Sequence, residues 1–234
     1  MRIGRFEANG EERIGVFEDD AVRDVTDVFE SFGDALSRAH AATDGDGETF
    51  DTDEIIHLPP TTGENTVFCA ALNYEAHAEE SDIEVPEWPM VFLKLPRTLV
   101  GHGEPISYHT RVTEEIDYEA ELAAVIGEQA RHVSPEDALD HVAGYTILND
   151  TSARDLQLGL QVGDDEMLDW FSGKAMQRTI RISMISLIYR SGRSRTTSVR
   201  LTGIRRIRIN LPISSIRTTS TAKTGGNRST LTCL

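Results

Sequence analysis

The sequence predicts an α+β, β-rich fold, with a small N-terminal β domain over residues 1–58 ahead of a larger strand-bearing domain over residues 59–177. Three observations predict it: alternating strands around an Asn-Gly turn at the start, a polar acidic stretch before Leu58, and a series of short apolar strands beyond it.

The elements follow in order. RIGRFEANGEERIGVFEDDAVRDVTDVF gives two strands closed by Asn9 and Gly10, then an edge piece leading into a helix over residues 31–42. TDGDGETFDTDE is a polar loop, and HLPP marks a new start, so the boundary is expected near Leu58. VFCAALNY is a short apolar strand, and EAHAEESD begins a helix or ordered loop that carries His77. IEVPEWP is a loop punctuated by proline, VFLKL a strand and GHGEP a turn. SPEDALDHVA predicts a short helix capped by Ser134, with Pro135 at its first position and Asp137 at its third; GYTILNDTS is a strand ending at Asp150. There is no internal repeat and no Gly-rich phosphate loop.

The stretch EEIDYEAELAAVIG raises a chemical question. At the period of two of a strand, Asp117, Glu119 and Glu121 share one face, while Ile116, Tyr118, Ala120 and Leu122 share the other and mark a core. Carboxylates about 7 Å apart repel one another. Burying them unpaired costs several kcal/mol each, so a positive partner is expected, and a hard cation such as Mg²⁺ or Ca²⁺ suits oxygen donors. The alternative is a solvated strand face, and spacing alone favours it in a chain this rich in acid.

A net charge of −16 over 234 residues argues against a nucleic-acid partner and suits a carboxylate-dense surface of the kind found in proteins adapted to high salt. Cys69 and Cys233 are too few for a disulfide framework. The first residues hold no apolar stretch of signal-peptide length, and no run of about 18 apolar residues is present to span a bilayer. A cytoplasmic location without membrane partners is expected.

The charge is unevenly placed. All 39 acidic residues lie within residues 1–177 with 11 of the 23 Lys and Arg, whereas residues 178–234 carry the other 12 and no acid. Ser, Thr, Arg and Ile dominate that tail, and short alternating pieces such as IRRIRIN have no evident strand partner. One reading is an out-of-frame tail after Gln177, which leaves the fold's C-terminal part incomplete. The other is a basic arm that binds nucleic acid or an acidic partner in a non-enzymatic or inactive protein.

Taken together, ALNYEAHAEE, VFLK, IDYEAELAAVIG, AGYTILNDTSARDLQ and FSGKAM resemble the catalytic domain of the fumarylacetoacetate hydrolase family, over roughly Thr66 to Met176. That family includes 2-hydroxyhepta-2,4-diene-1,7-dioate isomerases and acylpyruvases. The resemblance implies a mixed β-roll or barrel, a divalent cation (Mg²⁺, alternatively Mn²⁺ or Ca²⁺) and a homodimer. It implies a hydrolase, decarboxylase or isomerase that acts on a small 2-oxo or 1,3-dioxo acid through a metal-bound enolate, as in aromatic-compound catabolism. Matched by motif, Glu119, Glu121 and Asp150 are the implied metal ligands, and Asp117 an ion-pair or hydrogen-bond partner behind them. His77 and Glu80, three residues apart, are implied to activate water. Lys174 is implied to be catalytic and to neutralise the substrate carboxylate or leaving enolate, and Gln157 to touch substrate. Arg154 and Asp155 read as a structural pair that fixes the loop after Asp150. Lys94 is set outside the site, because Leu95 stands where the family has proline directly after the lysine. Beyond Lys174 the family's Gly-Pro segment, Asn-Gly hairpin and T-G-T-P-x-G-V-G loop are missing.

Overall fold

The computed structural model describes residues 1–60, 65–74, 87–162, 165–175, 182–183 and 187–189. The chain forms two compact units, one of Met1–Val67 with Leu93–Ser191 and one of Phe68–Phe92 with Gly192–Leu234. His77 and Glu80 lie outside the described residues, as does the chain beyond Tyr189.

Strands β1 (Arg2–Ala8), β2 (Glu11–Glu18) and β3 (Ala21–Asp24) form an antiparallel meander. Asn9 and Gly10, at φ 56° and 80°, close the first hairpin with Ala8 opposite Glu11; this is the left-handed pair that a two-residue turn demands. Ser31 starts α1 (Phe32–Ser37) by accepting a hydrogen bond from the Asp34 amide at 3.1 Å. The helical pattern predicted to Ala42 continues as a 3-10 helix over Ala39–Asp44. Strand β4 (Thr49–Asp51) then joins β3, and β5 (Ile56–Leu58) returns to pair with β1.

Next along the chain, β6 (Val67–Ala71) pairs with β7 (Met90–Lys94). The remaining elements are β8 (Leu99–Val100), β9 (Ile116–Asp117), β10 (Ala120–Ile126), β11 (Val142–Asn149), β12 (Ser152–Ala153), α2 (Arg154–Leu158), β13 (Leu160–Val162), β14 (Asp165–Met167), α3 (Trp170–Lys174), β15 (Ile182–Ser183) and β16 (Leu187–Tyr189). An eight-stranded sheet runs β10-β11-β16-β1-β2-β3-β4, with β5 also on β1. Strand β16 pairs with both β1 and β11 and joins the N-terminal meander to the acid-bearing strands. Ile188 lies opposite Arg2 on one side and Tyr145 on the other, a pairing that no local pattern in the Arg- and Ile-rich tail announces.

The N-terminal sheet buries both faces, as alternation dictates. Ile3, Ile14 and Val16 pack with Val25, Phe29, Phe32 and Ala35 on one side, and Phe6, Ala8, Phe17 and Val22 form the other. A third, smaller cluster of Leu99 and Leu148 with Val67 and Ala123 lies beneath the acid-bearing strands.

Two local expectations are corrected. Ser134 does accept a hydrogen bond from the Asp137 amide at 3.3 Å, yet a turn and a 3-10 segment over Ala138–His141 follow, because Val142 already enters β11. The predicted acid-bearing strand is interrupted at Tyr118 and Glu119: β9 pairs with β12, and only from Ala120 does β10 pair with β11. Tyr118, assigned to the core face, is 57% exposed, and the buried side is the one that carries acid. No helix among the described residues is long and apolar enough to cross a membrane.

Candidate active site

The interruption of the acid-bearing strand places two carboxylates side by side. Glu119 lies just before β10 and Asp150 just after β11, and the Asp150 amide donates to the Glu119 carbonyl at 2.7 Å. The Glu119 amide turns instead to the Asn149 side-chain oxygen at 3.2 Å. The ladder thus holds the backbones together while the strand bends. Asp150 is 2% exposed, and so far from water a carboxylate requires paired charge and hydrogen bonds.

Lys94 and Lys174 meet that requirement at Asp150, and Arg154 serves its neighbours Asp117 and Glu119. Lys94, at the end of β7 and fully buried, pairs its Nζ with Asp150 Oδ1 and donates to the Thr151 carbonyl at 2.9 Å. Lys174, 2% exposed, lies 2.5 Å from Glu119 Oε2 and 3.2 Å from Asp150 Oδ2. Arg154 uses the geometry of its fork: Nε donates to Asp117 Oδ2 at 3.0 Å, Nη1 to Gln157 Oε1 at 2.8 Å, and Nη2 to Glu119 Oε1. Asp117, Glu119 and Asp150 are matched in number by Lys94, Arg154 and Lys174, which offsets the cost of withdrawing Asp150 from water. Asp150 Oδ1 has no hydrogen bond of good geometry, and its contact with Lys94 is ionic.

Two short helices aim these side chains. Asp169 caps α3 by accepting from the Ser172 amide at 2.9 Å; the Ser172 hydroxyl first, then the Ser172 and Phe171 amides, hold its carboxyl below the usual range. Gly173 lets α3 close on α2: a methyl group there would lie 2.5 Å from Gln157 Cβ. That approach seats Lys174 beside Gln157, itself buried with its amide oriented by Arg154.

Of the residues singled out from sequence, the structure brings Glu119, Asp150, Lys174 and Gln157 together. Glu121 is half-buried on β10 opposite Leu148, and among the described residues no group of three His, Cys, Asp or Glu side chains is placed to hold a metal ion. Arg154 and Asp155 do not act as a pair. Arg154 serves the acid cluster, whereas Asp155 accepts from Thr113 Oγ1 at 2.5 Å and the Glu114 amide at 2.9 Å. Burial pushes the Asp155 carboxyl upward, but these hydrogen bonds outweigh it and hold it below the usual range. Lys94, set aside on the sequence, is a member of the cluster. Its signal was a lysine within the apolar run VFLKL, a position that demands a buried partner.

The amino-acid sequence matches the family described as Fumarylacetoacetate (FAA) hydrolase C-terminal over residues 66–210, a span that runs past Gln177. The chain belongs to the fumarylacetoacetate hydrolase family. It is 41% identical over 138 residues to oxaloacetate tautomerase YisK of Bacillus subtilis, covering 58% of this chain and 43% of that protein. It is 51% identical over 90 residues to the homoprotocatechuate catabolism bifunctional isomerase/decarboxylase of Escherichia coli, covering 38% of this chain and 21% of that protein. Among solved structures, fumarylacetoacetate hydrolase from Exiguobacterium antarcticum superposes with a TM-score of 0.57 at 37% identity, covering 67% of this chain and 58% of that one. The chain spans less than half the length of each of these two curated relatives. These relatives are enzymes, and enzymes of the fumarylacetoacetate hydrolase family generally use a divalent metal.

Proposed function

We propose that this member of the fumarylacetoacetate hydrolase family is a divalent-cation-dependent enzyme that converts a small 2-oxo or 1,3-dioxo acid through its enolate. The observation that carries this reading is the convergence of two carboxylates, the buried Asp150 and the partly buried Glu119, on one ammonium group, that of Lys174. Hard oxygen donors aimed at a single cation suit Mg²⁺, Mn²⁺ or Ca²⁺, and Glu119 and Asp150 are the residues that would hold the ion, with Glu121 the third ligand the motif implies. Such an ion stabilises the negative charge that develops on the enolate oxygen.

The chain's own residues do the rest. Lys94 and Arg154 fix Asp150 and Glu119 from outside, so their oxygens face one point without reorganisation. Lys174 supplies a positive charge for the substrate carboxylate, and Gln157, held by Arg154, presents its amide NH₂ to a substrate oxygen. In a keto-enol isomerisation a proton leaves the carbon next to the carbonyl and one is added at the carbonyl oxygen, with no bond between carbons broken. His77 and Glu80 are proposed as the groups that carry protons or activate water. A site that delivers water through them hydrolyses a C–C bond, and one that excludes water isomerises or decarboxylates.

The names of the Bacillus subtilis and Escherichia coli relatives favour tautomerisation, isomerisation or decarboxylation, and that of the Exiguobacterium antarcticum structure favours hydrolysis. A homodimer and a cytoplasmic location belong to the same proposal. Turnover of oxaloacetate, an acylpyruvate and a 2-hydroxymuconate-type diacid, each with Mg²⁺ and with a chelator, tests it. Conversion of at least one that stops on chelation is the expected result, and no conversion of any refutes the reading.

A further inference from the structure

The two lysines at the carboxylate pair are held in different ways. Lys94 ends a strand, is fully buried, and donates to the Thr151 carbonyl as well as pairing with Asp150 Oδ1. Lys174 is the last residue of the five-residue helix α3, and its ammonium bridges Glu119 Oε2 and Asp150 Oδ2. Those are one oxygen from each carboxylate, the atoms that an ion held by both would claim. An ammonium and a divalent cation cannot share them, since two cations at that separation repel strongly in a buried site.

We propose that Lys174 is an exchangeable counter-ion: its ammonium leaves the Glu119–Asp150 pair as a divalent ion enters, while Lys94 stays on Asp150 and keeps it in position. The inference rests on the proposed reading of the site and deepens it. Displacement frees the Lys174 charge for an incoming carboxylate, so the site takes its cation first and becomes receptive to a 2-oxo acid second. One lysine positions a ligand, and the other converts cation binding into anion binding.

Calorimetric titration of Mg²⁺ and Mn²⁺ into the full chain without substrate tests this, comparing wild type with Lys174→Met and Lys94→Met. Removing either lysine removes one positive charge, so a general charge effect tightens cation binding alike in both. Exchange predicts more: Lys174→Met binds the ion at least about tenfold tighter than Lys94→Met, because no bridging ammonium has to be displaced. Equal affinities overturn the inference and leave the cation reading standing. A wild-type chain that binds neither ion overturns both.

A second measurement needs no variant. Amine acylation of the wild-type protein followed by peptide mass analysis is expected to show Lys174 protected without Mg²⁺ and labelled with it, and Lys94 protected in both states. Unchanged protection of Lys174, in protein that calorimetry shows to bind the ion, overturns the exchange.

Discussion

Replacing Lys94 with methionine keeps the length of the side chain and removes its charge, leaving Asp150 buried with one cationic partner fewer. Removing one member of a buried ion pair costs about 3–5 kcal/mol, chiefly because the other charge stays desolvated. Asp150 keeps Lys174 at 3.2 Å, which moves the expected cost toward the low end. The Thr151 carbonyl loses a hydrogen bond, worth about 1 kcal/mol. A total of about 3–4 kcal/mol follows, or a melting temperature lower by about 6–16 °C for a chain of this size. Urea unfolding followed by circular dichroism, with calorimetry for the melting temperature, measures it. A loss below about 1 kcal/mol would refute the argument that Lys94 compensates a buried charge. The double variant Lys94→Met/Asp150→Leu is expected to recover part of the loss, because the orphaned carboxylate has gone.

Three further outcomes follow from the same geometry. Arg154→Lys replaces a fork that serves Asp117, Glu119 and Gln157 with a single point charge, so steady-state turnover of oxaloacetate is expected to fall at least about tenfold with the far-ultraviolet spectrum unchanged. Gly101→Ala sets a methyl group against the His57 carbonyl oxygen, and relieving that clash between backbones is expected to lower the unfolding free energy in urea by about 3 kcal/mol. Acid should weaken the fold through His57 and His102, whose rings meet edge to face at 5.3 Å. Burial, reinforced for His57 by His102, holds both imidazoles below their ordinary value. The unfolded chain therefore binds protons first, so full stability holds above about pH 6.5 and declines as pH falls through that value toward the lowered native ones. Urea midpoints at pH 7.5 and 5.5 measure this decline, and His57→Phe, which can still stack on Phe17, should reduce it.

The parts legible in the sequence were those set by local chemistry. Asn9 and Gly10 announce the first hairpin because few residue pairs tolerate positive φ at both positions. Ser31 announces α1 because its side-chain oxygen meets a free amide at the helix start. The acid-bearing stretch was harder. A period of two identifies the alternating faces but cannot show that Asn149 caps the Glu119 amide and bends the strand, so Tyr118 was assigned to the core. Lys94 was missed for a related reason: its place depends on Asp150, 56 residues further on, and the family's lysine-proline spacing pointed elsewhere. The pairing of Leu187–Tyr189 with β1 and β11 is likewise a long-range event, and the Arg- and Ile-rich tail gave no local sign of it. Arg154 read as a partner of Asp155 because the two are adjacent, yet opposite sides of the chain claim them.

The central claim is that Glu119 and Asp150 form one cation-dependent centre for enolate chemistry. Its most direct measurement is the ultraviolet decay of enol-oxaloacetate to the keto form, run with Mg²⁺, with a chelator, and with Asp150→Asn in place of wild type. Acceleration by wild type with Mg²⁺ is expected, and loss of that acceleration in the other two. Equal rates with and without the cation, or an Asp150→Asn protein as fast as wild type, would contradict it.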